Sequence, residues 1–213
     1  MMRSVCVLFL TAVTVLASPR PADACGHGIE RIVQADPVVQ SVGKAERLLA
    51  AGAYRAAVQE VLSTFPEALQ ADHRDRRQSL FERGQRVVAL ATVRSEGSVS
   101  LGTSAMAGRA PAKQQARLAW AAVILRLHNA RDGGVLVTSE LAEALAQRPA
   151  ERAQARALLA ELGDLDLLPT ARAWALLSTL EREHGDTGAA DRATRRCLEI
   201  APTNGPCAAT PTA

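Results

Sequence analysis

The residues of this 213-residue chain that could do chemistry are few and scattered. Its four cysteines and four histidines fall in no Cys-x-x-Cys or His-Glu-x-x-His pattern. A Gly-x-Ser-x-Gly nucleophile and a glycine-rich phosphate loop are also missing. His73 sits in the charge run Asp72 to Arg77, which reads as a solvated helix start. His128 and His184 come near the ends of periodic stretches, where a cation favours the carbonyl terminus of a helix. Glu140, Glu143, Glu151, Glu161, Asp164 and Asp166 cluster in sequence. Paired carboxylates can do acid–base work, but with no pocket signal these read as solvated surface. The expectation is a protein that is not an enzyme and carries no cofactor.

The N-terminus holds the one patterned ligand set. Met1-Met2-Arg3 is followed by an apolar run from Val5 to Ala17, too short to cross a membrane and suited to a secretory signal peptide over residues 1–24. Cleavage after Ala22-Asp23-Ala24 leaves Cys25-Gly26-His27 at the start. The free amine, two backbone amides and the His27 imidazole can wrap Cu(II) or Ni(II) in a square plane, with the Cys25 thiol as a competing ligand. Cleavage after Ala17 removes that site. So does lipidation of Cys25, although Asp23 and the missing Leu depart from a lipoprotein signal. Without Cys6, the mature chain keeps Cys25, Cys197 and Cys207, an odd number for an oxidising compartment. Cys197 and Cys207 flank Pro202, Asn204, Gly205 and Pro206, so the tail can fold back to form a disulfide. The alternative is a free Cys197 filling a small buried position.

Composition sets the elements that must position these groups. Aromatics make up 3% of the chain, against 48% apolar residues supplied mostly by Ala and Leu, which favours helices over strands. Pro37, Pro66, Pro111, Pro149, Pro169 and Pro202 fall between periodic stretches. Helices are expected over 39–51, 54–65, 74–94, 113–129, 136–147, 150–162, 170–184 and 187–200, with Gly84 a possible break in the third. Residues 25–38 form an N-terminal tail, 39–202 a helical domain with a mobile loop near 95–112, and 203–213 a C-terminal tail.

Ala119-Trp120-Ala121-Ala122-Val123 aligns with Ala173-Trp174-Ala175-Leu176-Leu177. Each Trp is followed by a turn, a helix and a proline, 29 residues on at Pro149 and 28 at Pro202. In the second unit, Trp174, Leu177, Ser178, Gly185-Asp186, Ala190, Cys197 and Pro202 resemble the tetratricopeptide repeat family. Ala45, Leu48, Gly52, Tyr54 and Ala57 fit the same scheme, with Pro66 early. Residues 115–149 are one residue out of register, and 74–111 fit poorly.

The resemblance implies an all-α fold of antiparallel helical hairpins stacked as a short solenoid, whose first helices form a concave face. On that face stand Leu118, Ala121, Leu125 and His128 from one helix, and Arg172, Ala175, Thr179 and Arg182 from another. An apolar strip beside two arginines suits an extended peptide with apolar side chains and a carboxylate. The expected function is an exported periplasmic or extracellular scaffold that binds another protein or peptide. The alternative is a structural helical component of the envelope, with a lipid at Cys25 as its anchor if that cysteine is acylated. A net charge of +3 and few aromatics argue against a nucleic-acid partner, and no transmembrane segment is expected.

Overall fold

The computed structural model describes residues 36–71, 78–102, 110–203 and 205–207. The chain divides into two units, Met1–Gln34 and Ala35–Ala213. The first, with the expected leader and the Cys25 and His27 ligands, lies outside the described residues, as does His73.

The second unit is all-α, with no strand among the described residues. Its helices are α1 (Pro37–Ala50), α2 (Tyr54–Thr64), α3 (Gln78–Arg94), α4 (Pro111–Asp132), α5 (Val135–Ala146), α6 (Arg152–Asp164), α7 (Ala171–His184) and α8 (Thr187–Ile200). Short 3-10 turns cover Pro66–Leu69 and Pro149–Glu151. The prolines mark starts as much as stops. Pro37 and Pro111 open α1 and α4, where the missing N–H is no loss. Asp36 accepts from the Val38 N–H at 2.9 Å, and Asp186 accepts from the Ala189 N–H at 2.8 Å, so both helices begin on a side-chain cap. Gly133 and Gly185 end α4 and α7 with left-handed φ of 55° and 92°.

Consecutive helices pack as four hairpins, α1/α2, α3/α4, α5/α6 and α7/α8. Each second helix also packs on the next first helix. The first helices touch in series, α1 to α3 to α5 to α7, whereas α2, α4, α6 and α8 make no substantial contact with one another. The first-helix row is therefore the closed side of the array.

Two expectations are corrected. Trp174 lies on a first helix and Trp120 on a second, so the two are not equivalent. Helix α4 pairs back onto α3 through residues 95–110, and the apparent repeat reflects similar Ala- and Leu-rich faces in both rows. Nor is the start of the 95–112 stretch a loose loop, because Val99 and Leu101 are buried. Gly97, at φ 73°, lies so close to α4 that a Cβ would stand 2.8 Å from the Gln114 carbonyl oxygen. The Arg117 Nε donates to the Gly97 carbonyl at 2.6 Å from a fully buried position. Residues 103–109 lie outside the described residues. Gly84 does not break α3; its missing Cβ makes room for Val61 and Phe65, and Phe65 meets Phe81 edge to face at 5.6 Å.

A candidate groove along the first helices

Helix α3 projects three arginines along the first-helix row, and each meets a glutamate on a neighbouring first helix. Arg83 holds Glu46 of α1 through two hydrogen bonds of 2.9 and 2.7 Å. Arg86 holds Glu140 of α5 the same way. Arg94 holds Glu143 at 2.9 and 3.2 Å. The fork of guanidinium donors matches the two carboxylate oxygens, which fixes the spacing of the helices. Hydrogen bonds donated to Glu46 and Glu140 hold the Arg83 and Arg86 guanidinium groups above their ordinary pKa. At Arg94 burial works against the charge, yet the bonds and charge of Glu143 leave the pKa raised.

These pairs rim a cavity of about 290 Å³ whose apolar lining includes Leu49, Val87, Leu90 and Leu136. Its charges are already committed to one another, so it offers room for uncharged, apolar side chains. A second cavity of about 220 Å³ adjoins it, sharing Arg94 and Glu143 and continuing to Gln147, Arg172, Ala175, Leu176 and Thr179. Arg172 is exposed and makes no ion pair among the described residues. Glu96 lines the same cavity beyond ion-pair distance of it. The two cavities thus combine an apolar hold with one uncommitted cation.

Of the residues expected to form a groove, Arg172, Ala175 and Thr179 line this second cavity. Arg182 is exposed on α7 but lines neither cavity. Leu118, Ala121, Leu125 and His128 are corrected outright. They are buried in the interior, because α4 belongs to the second-helix row and turns that face onto its neighbours. Burial pushes the His128 imidazole below its ordinary pKa, with Glu82 opposing and Arg131 assisting the shift.

Glu140 and Glu143 are not solvated, as their sequence cluster implied, but buried and paired. A signal for this was present. Helix α5 is apolar almost all round and buried continuously from Ser139 to Ala146, so an acid on it had to find an internal partner. Cys197 and Cys207 are joined by a disulfide with Cα atoms 6.2 Å apart. Among the described residues no group of His, Cys, Asp and Glu could hold a metal ion. No described helix is long and apolar enough to cross a membrane. Compared with protein-family models, with curated proteins and with solved structures, the chain matches none of them.

Proposed function

We propose that the protein is an exported, tetratricopeptide-like scaffold that binds an extended segment of another protein along its first-helix row. The observation that carries this reading is the pair of adjoining cavities: one apolar, with every rim arginine already paired, and the next holding the free Arg172. An extended segment spanning both would bury an apolar side chain in the first and set a carboxylate against the guanidinium in the second. Export is supported by the basic start, the apolar run Val5 to Ala17 and the internal disulfide, which is at home in an oxidising compartment.

The test is a bead-displayed library of random peptides screened against the parent, the Arg172→Glu variant and the Arg182→Glu variant. Captured peptides are expected to carry an apolar residue near an acid. Arg172→Glu should weaken them about tenfold or more, equivalent to about 1.4 kcal/mol. Arg182→Glu should leave them within about twofold, because that side chain lies outside both cavities. Equal loss in the two variants, or no captured peptide, defeats the groove reading. A structural role, packing on copies of itself, would use the exposed Val123 and Leu127 of α4; a stable homo-oligomer of the exported protein would favour it.

A further inference from the structure

The second cavity is not built by helices alone. Pro206 forms part of its wall, beside Arg172, Ala175 and Thr179, yet it lies beyond the end of α8. It reaches that place because the next residue, Cys207, is bridged back to Cys197 in the last turns of α8. Both cysteines are buried, Cys197 completely. Gly205 lies so close against Ala201 that a Cβ would fall 2.7 Å from the Ala201 carbonyl oxygen, so the chain turns there only with glycine. Bridge, glycine and proline together place one apolar surface in the cavity that Arg172 lines.

We infer that the Cys197–Cys207 disulfide is a working part of the binding groove, holding Pro206 as the wall of the subsite around Arg172. The inference rests on the groove reading proposed above and adds a redox dependence to it. The subsite takes a carboxylate whose short apolar stem packs against Pro206 while Arg172 holds the charge. Reduction by a dithiol removes the wall. One reductant thiolate attacks a bridge sulfur and forms a mixed disulfide; the second closes the reductant's own ring and expels the remaining cysteine thiolate. The bridge gains two electrons and two protons to become two thiols, and the dithiol becomes a cyclic disulfide. Residues 205–207 then lose their cross-link to α8 and keep only the backbone connection, and Pro206 no longer holds its place in the cavity.

The experiment compares two blocked peptides, acetyl-Leu-Ala-Asp-Ala-amide and its Asn counterpart, by NMR titration. The proteins are the oxidised parent, the parent reduced with dithiothreitol, a Cys197→Ala/Cys207→Ala variant and a Pro206→Gly variant whose bridge is verified by intact mass. The oxidised parent is expected to prefer the Asp peptide. Reduction and the double Ala variant should each lower affinity for both peptides about tenfold, because both share the stem that packs on Pro206, and leave the Asp preference supplied by Arg172 in place. Pro206→Gly should reproduce the loss with the bridge intact, which separates the wall from any general loosening of α8. If the oxidised parent prefers Asp and neither reduction nor Pro206→Gly weakens either peptide, the inference fails while the groove stands. If the oxidised parent binds neither peptide, both fall together.

Discussion

At Arg94 and Glu143 the protein keeps two opposite charges where burial disfavours each of them. The glutamate is almost fully buried and the arginine mostly so, and two hydrogen bonds join them. Such a pair contributes little net stability compared with apolar side chains of similar size, but breaking it strands one charge. Arg94→Met should therefore cost about 3 kcal/mol in urea unfolding. Arg94→Met/Glu143→Leu together should return most of that loss. A double variant as unstable as the single one would show that the pair is not coupled in this way. The pair also marks where sequence reading stopped. Arg172, Ala175 and Thr179 could be assigned to one face because a single helix fixes their spacing. Arg94 and Glu143 are 49 residues apart, and only the packing of α3 on α5 brings them together.

Helices were readable to within about three residues at their ends, because prolines, capping residues and left-handed glycines such as Gly133 and Gly185 punctuate a strongly periodic chain. What joins α3 to α4 was not. Ser95 to Ser100 looks like polar linker, yet Val99 and Leu101 are buried and Gly97 packs against Gln114 and Leu118 of α4. Two glycine substitutions expose the difference between an open turn and a packed one. Gly52 has φ 75° with nothing within 4 Å of its missing Cβ, so Gly52→Ala should cost about 1 kcal/mol from backbone strain. Gly97→Ala adds a clash with Gln114 and Leu118 and should cost about 3 kcal/mol. Equal melting shifts for the two would mean the segment does not pack on α4. His128 supplies a pH dependence from the same helix. Its folded pKa is lowered from 6.5 by burial, so the unfolded chain takes up a proton first as pH falls. Stability is thus retained above about pH 6.5 and lost as pH drops below it towards the folded pKa. His128→Gln should flatten urea midpoints measured across that window; an unchanged slope would assign the pH dependence elsewhere.

A stack in which each hairpin touches mainly its neighbours distributes stability along one axis. The middle of this array is its densest part. Helix α3 buries an unbroken run from Val87 to Val93, α5 buries one from Ser139 to Ala146, and α4 closes over both. Other helices bury fewer residues, α6 only Ala155 and Leu159. Helix α1 buries Val42, Ala45 and Leu49, and α8 buries only Ala190, Ala193 and Cys197 while exposing Asp191, Arg192, Arg195 and Glu199. That mostly polar outer face, interrupted by the exposed Leu198 and Ile200, ends the array at α8. Nothing in the periodicity alone distinguishes this phasing from one in which α4 begins a hairpin, which is why the two tryptophans could be aligned in error. The phasing has a measurable consequence. Native-state hydrogen exchange should be slowest in α3, α4 and α5 and faster in α1, α6 and α8, because local opening follows the local density of buried contacts. Reducing the Cys197–Cys207 bridge should speed exchange in α8, and to a smaller degree in α7 where the two helices pack, while leaving α1 to α5 unchanged. Uniform protection across all eight helices, or a change on reduction that spreads equally to α1, would mean that the unit opens as a single block rather than hairpin by hairpin.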